Sequence, residues 1–208
     1  MPALRWLALG DSYTIGEGVE PAGRWPLQLA ARLREGGIAI DDPRILACTG
    51  WTTDELSAAM DAAEPLGRWD AVSLLIGVNN QYRGRSAEEY RGEFHGLLRR
   101  AITLAGGDAG RVLVLSIPDW GVTPFAHAGD RDPGVIAAEL DAYNAVAHAI
   151  CAIEGVAFID ITPASRDGGG EPSMLAGDGL HPSATMYARW TEVALPVAQG
   201  VLAGTPAG

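Results

Sequence analysis

The 208-residue chain contains no lysine, and all 15 of its basic residues are arginine. Without an ε-amine, a phosphate-binding P-loop, Schiff-base chemistry, a Ser-Lys dyad and the receiver-type phosphorylation site that uses a lysine after its last strand are all excluded. Cysteine is nearly absent too. Cys48 and Cys151 form no CxxC pair and are too few for a disulfide framework. Both are read as buried or inert thiols, Cys48 because it falls in an apolar run. No segment approaches the roughly 18 apolar residues of a membrane span. The apolar stretch near the N-terminus, broken by Arg5 and ended by Asp11, is too short for a secretory core. The expected location is therefore the cytoplasm, with no stable membrane association. Positive charge is in deficit as well: the formal net charge is −11, which repels phosphate backbones and anionic lipid surfaces. Nucleic acid is not an expected partner.

What is present describes one folded domain over residues 1–208, its last few residues expected to be a flexible tail. With 48% hydrophobic and 20% charged residues, the chain has enough apolar material for a sizeable core, so disorder and fibrous classes are excluded. Five runs rich in Val, Ile and Leu recur at about 5–9, 44–48, 71–76, 111–117 and 156–161. They are nearly continuous rather than alternating, the pattern of strands buried on both faces of a parallel sheet. Helical stretches lie between them. Thr52 with Glu55, and Ser86 with Glu89, fit the capping box. Asp132-Pro133 opens a helix whose Ile136, Leu140, Tyr143, Ala147 and Ile150 share one face. Gly36-Gly37 and Gly155 end helices, and a last helix runs from about Ser183 toward Gly200. The predicted fold is a three-layer α/β/α sandwich with a five-stranded parallel sheet in flavodoxin-like order. In such a sheet the loops leaving the carboxyl ends of the strands open on one edge, where ligands bind.

Four of those loops carry residues suited to chemistry. Gly10-Asp11-Ser12 follows the first strand and presents a serine hydroxyl in a glycine-flanked turn. Asp178-Gly179-Leu180-His181-Pro182 precedes the final helix. A carboxylate three residues before a histidine in a turn holds its Nδ1–H and fixes the tautomer that a general base needs. Gly50 after the second strand and Asn79 after the third offer a bare backbone N–H and a side-chain amide, both suitable donors to a developing oxyanion. Taken singly, each has a plain structural reading as a turn or cap. Their shared edge is the argument.

These blocks resemble the SGNH, or GDSL-type, hydrolases: Gly10-Asp11-Ser12, Gly50, Gly77-Val78-Asn79 and Asp178 to His181 stand in that family's order across nearly the whole chain. The resemblance implies a serine esterase with Ser12 as nucleophile, His181 as base and Asp178 as its orienter. The Ser12 and Gly50 N–H groups and the Asn79 side chain would form the oxyanion hole. Tyr13 stands where many members carry an apolar residue, and Asn80 where an Asp often follows the block Asn. No cofactor or metal is needed, in keeping with the absence of an HExxH motif and the scattered positions of His95, His127 and His148.

Around the site, Trp51, Asn80, Tyr82, Arg83 and Trp120 are expected to shape a substrate pocket, with Arg83 or Arg85 able to hold a carboxylate or phosphate. With no long insertion to serve as a lid, the expected partner is a small-molecule acyl ester. Lysophospholipase, thioesterase, carbohydrate deacetylase and acyltransferase activities remain alternatives on the same site. Outside enzymes, the glycine- and hydroxyl-rich first loop also suits the phosphate of a flavin in a flavodoxin-like binding protein.

Overall fold

Each apolar run forms a strand in the computed structural model, which describes residues 2–203. The strands are β1 (Trp6–Gly10), β2 (Arg44–Ala47), β3 (Ala71–Leu75), β4 (Val112–Leu115) and β5 (Ala157–Ile159), all parallel, in the order β2-β1-β3-β4-β5. This is the flavodoxin-like order, and it reverses direction between β1 and β3. The three central strands are buried at every position. The two edge strands depart from the expected double burial, because each has a neighbour on one side only. β2 is exposed or half-buried throughout, and Cys48 just beyond it is exposed rather than buried, whereas Cys151 is buried as expected. The expected tail lies outside the described residues.

Nine helices connect and cover the sheet among the described residues: α1 (Ser12–Ile15), α2 (Trp25–Glu35), α3 (Thr53–Ala62), α4 (Val78–Tyr82), α5 (Ala87–Leu104), α6 (Pro124–Ala128), α7 (Pro133–Glu154), α8 (Thr162–Arg166) and α9 (Ala184–Leu202). α2 packs on α9 in one layer, and α5 packs on α3 and α7 in the other. Right-handed crossovers place them so. Both predicted capping boxes form, with Glu55 Oε2 accepting from Thr52 N–H at 2.9 Å and Glu89 Oε2 from Ser86 N–H at 2.7 Å. Asp132 caps α7 through Val135 N–H at 3.0 Å, and Ser183 caps α9.

One expectation needs correction. α7, with 22 residues, is by length and composition apolar enough to cross a membrane. Its stripe of Ile136, Leu140, Tyr143, Ala147 and Ile150 is buried, and it packs against α5. Its outer face carries exposed alanines at 138, 142, 145 and 149 together with exposed Val135 and Ile153, and these raise its mean hydropathy beside the buried stripe.

The sheet register sets the active edge. Gly10, the last residue of β1, pairs with Ala47 of β2 and Leu75 of β3, so the three loops that follow leave at one level. A β-carbon at Gly10 would lie 2.2 Å from Thr14 Oγ1 and 2.5 Å from the Leu75 carbonyl oxygen. Only glycine lets α1 fold back over the strand end. Gly10→Ala is expected to cost about 1–3 kcal/mol of stability, the range for forced overpacking and toward its upper end, since one of the atoms met is backbone that cannot rotate away. A lowered urea midpoint with unchanged slope would show it.

Candidate active site

α1 begins one residue after Asp11, whose Oδ1 accepts the Tyr13 N–H at 3.0 Å and caps the turn. Ser12 is therefore the first helical residue, 4% exposed and at the wall of a cavity of about 240 Å³. The Asp11 carboxyl is fully buried, and its second oxygen has no hydrogen-bond partner among the described residues. Burial raises its pKa to about 7, offset in part by the backbone N–H groups of Tyr13, Asp11 and Gly77.

His181 reaches the same cavity from the other end of the chain. Its Nδ1 lies 2.6 Å from Asp178 Oδ2, while Asp178 Oδ1 accepts the N–H groups of Leu180 and His181 at 3.0 and 2.9 Å. Burial works against the Asp178 charge, but the hydrogen bonds from the His181 ring and from those two N–H groups outweigh it and hold its pKa below the ordinary value. An anchored carboxylate fixes which ring nitrogen carries the proton and leaves Nε2 free to work. The His181 carbonyl accepts from Ala176 N–H at 2.7 Å, and the Tyr13 ring meets the imidazole edge-on at 6.0 Å. The tyrosine that departs from the family pattern thus packs against the histidine. Ser12 and His181 share the cavity wall, although no hydrogen bond joins them among the described residues; such bonds are often long in ligand-free sites and tighten around substrate.

Gly50 and Asn79 complete the polar side. Gly50 is the third residue of a turn closed by Trp51 N–H to the Cys48 carbonyl at 3.3 Å, with φ of +85°. That conformation favours glycine, because any β-carbon is strained at positive φ. Asn79 lies in α4, directly beyond β3, and its Nδ2 donates to the Trp51 carbonyl at 2.9 Å. That bond engages one amide hydrogen and leaves the second without a use in it, and Asn79 is among the residues that line the cavity.

The apolar side is made by Tyr13, Val78, Tyr82, Trp120, Phe125 and Leu180. Two of the five expected pocket residues, Tyr82 and Trp120, are placed there. Trp51, Asn80 and Arg83 are not among the lining residues. Trp51 contributes its carbonyl to Asn79 instead. Asn80 is fully buried, accepting from Thr53 N–H at 3.0 Å and donating to Thr53 Oγ1 at 2.6 Å, so it ties α4 to α3. Arg83 donates to the Gly50 carbonyl and pairs with Glu55, and Arg85 pairs with Asp54. Both arginines are committed to the protein rather than to an anion. Val78 and Leu180 were missed as lining residues, although both sit inside the polar blocks that the sequence displays. Trp120 is oriented by Gln81, whose Oε1 accepts the indole N–H at 2.9 Å.

The model of the GDSL-like lipase/acylhydrolase family matches residues 8–189. The chain belongs to that family. A GDSL-like acylhydrolase is an ester-hydrolysing enzyme, which sets aside the flavin-binding alternative. Solved structures agree on the fold. TesA is 21% identical with a TM-score of 0.75, over 95% of this chain and 99% of that one. The acetylxylan esterase Axe2 from Geobacillus stearothermophilus is 19% identical with a TM-score of 0.70, covering 95% and 94%. The lipase/acylhydrolase from Enterococcus faecalis is 20% identical with a TM-score of 0.69, covering both chains completely. No curated protein matches.

The buried Asp11 of this GDSL-like chain makes stability depend on pH. Its folded pKa of about 7 exceeds the ordinary carboxylate value, so the folded state holds the proton more tightly than the unfolded state does. Its contribution is fully present below pH about 4 and is lost as pH rises through about 7. Asp11→Asn, which stays neutral, is expected to flatten the decline in urea midpoint between pH 5 and 7.5. Parallel wild-type and mutant profiles over that range would contradict the assignment.

Proposed function

We propose that the protein hydrolyses small acyl esters through a serine acyl-enzyme. Ser12 Oγ attacks the ester carbonyl while His181 Nε2 takes its proton, and Asp178 holds the imidazole in the tautomer that accepts it. The tetrahedral oxyanion is bound by the N–H groups of Ser12 and Gly50 and by Asn79 Nδ2. His181 returns the proton to the departing alcohol. It then deprotonates a water that attacks the acyl-enzyme, releasing the acid and restoring Ser12.

The observation that carries this reading is that a serine from the first βα turn and an Asp-oriented histidine from the last border one cavity, which Gly50, Asn79 and a set of apolar side chains also line. The substrate class follows from size. At about 240 Å³ the cavity lies below the usual 300–1,000 Å³ of ligand pockets, which suits a short acyl group, while a second cavity of about 430 Å³ shares Tyr82, Trp120 and Phe125 with it on the side where the alcohol would lie. Tyr82 and Phe125, 52% and 41% exposed at its rim, leave room for an alcohol portion outside.

p-Nitrophenyl esters of increasing chain length test both halves. Ser12→Ala and His181→Ala are expected to lose at least about 10³-fold in kcat, because members of such a triad act as a unit. Retained turnover in Ser12→Ala would reject the nucleophile. Asn79→Ala is expected to lower kcat by about 10²–10³ with KM little changed, the signature of a donor used in the transition state. Activity should peak at acetyl to butyryl and fall beyond; a preference for long acyl chains would overturn the size argument.

A further inference from the structure

The turn that carries Gly50 is held mainly from α4 and the residue after it. Asn79 grips the Trp51 carbonyl, Asn80 accepts the Thr53 N–H, and Arg83 Nη2 donates to the Gly50 carbonyl at 2.8 Å. The third contact is the unusual one, since Arg83 does not border the cavity. Its guanidinium is itself fixed by Glu55, with Nη2 at 3.2 Å from Oε2 and Nη1 at 3.3 Å from Oε1. Glu55 in turn is locked by the capping box at the start of α3. A planar fork that engages two carboxylate oxygens and one carbonyl holds a direction as well as a charge, which an ammonium cannot do as well.

Gly50 needs such a grip. It has no side chain, nothing lies within 4 Å of where its β-carbon would stand, and the hydrogen bond that closes its turn is long at 3.3 Å. A glycine so placed has more backbone freedom than any other residue, and freedom at Gly50 moves its N–H. An oxyanion donor is useful only when it is already aimed before charge develops.

We propose that Arg83 is a positioning residue that, by gripping the Gly50 carbonyl from outside the cavity, keeps the Gly50 N–H aimed at the oxyanion. The inference rests on the acyl-transfer reading above. It also separates rate from stability: the Arg83 and Glu55 side chains are 45% and 40% exposed, and ion pairs that wet contribute little to folding. The loss therefore falls on kcat.

Steady-state kinetics with p-nitrophenyl acetate, the rate of covalent labelling by a fluorophosphonate, and thermal melting are compared for wild type, Arg83→Met, Arg83→Lys, Arg85→Met and Ser12→Ala. Arg85 is the matched control, because it bonds Asp54 at the same helix start at 2.6 Å yet touches no carbonyl of the Gly50 turn. Arg83→Met is expected to lower kcat and the labelling rate together by about tenfold, less than the 10²–10³ of deleting a donor outright. KM should stay within about twofold, with the melting temperature nearly unmoved. Arg83→Lys should recover part of the rate, and Arg85→Met should match wild type. Wild-type kcat in Arg83→Met, equal losses in both arginine variants, or a raised KM with kcat intact would each overturn the proposal. In those outcomes an inactive Ser12→Ala leaves the acyl-transfer reading standing; an active Ser12→Ala removes both. Should Arg83→Met fail to fold, Glu55→Gln keeps a capping oxygen but loses the charge that fixes the guanidinium. It is expected to lower kcat about threefold, on the same oxyanion-hole argument, and an unchanged kcat there overturns the proposal.

Discussion

The space of one β-carbon at Gly10 governs where the serine can stand. Because nothing projects from the end of β1, the α1 turn closes directly over the strand, with Thr14 and the Leu75 carbonyl filling the volume that a side chain would take. That contact brings Ser12 within one cavity of the loops that leave β2 and β3. It also buries Asp11 completely, which is why a carboxyl beside the serine turn holds its proton toward neutral pH. Close approach and a costly buried acid are two results of the same geometry. Functional sites often carry such local expense, supported by the rest of the fold.

Around that fixed point the polar groups are tied by hydrogen bonds that each join a side chain or N–H group to a main-chain or carboxylate oxygen. Asp178 is anchored by two N–H groups as well as by the imidazole, the Gly50 turn by side chains from residues 79 to 83, and the His181 carbonyl by Ala176. Donors and acceptors so tied keep their directions before any substrate arrives, which is the condition under which electrostatic stabilisation of a transition state is large. Asn80 illustrates the economy. In place of the family's frequent Asp, its amide accepts from Thr53 N–H and donates to Thr53 Oγ1 and to the Glu93 carboxylate, a donor role that an ionised Asp could not fill.

Much of this was legible in the chain. The strand runs, the two capping boxes, the Asp132-Pro133 helix start and the Gly155 stop are local signals, each satisfied by neighbours within a few residues, so they survive any tertiary context that keeps the element. The residue types of the polar blocks were readable for the same reason: Asp178 and His181 are three apart in a turn, a spacing that nearly dictates their contact. What was not legible depended on which side a residue faces. Trp51, Asn80 and Arg83 sit beside the site but do not line it: Asn80 is buried against Thr53, Trp51 offers its carbonyl to Asn79, and Arg83 reaches the Gly50 carbonyl and Glu55 outside the cavity; Cys48 ends an apolar run that happens to lie at an edge of the sheet.

By itself, then, the sequence determined the elements, their alternation and the chemistry of the blocks, because periodicity, caps and short-range spacing are encoded within a few residues of one another. Only the tertiary structure decided that Ser12 and His181, 169 positions apart, border one cavity, that this cavity is small, and that Arg83 serves the Gly50 carbonyl rather than a substrate. Those outcomes rest on strand order, on register and on the exact direction of side chains leaving short helices, and each is set by contacts between segments that have no proximity along the chain.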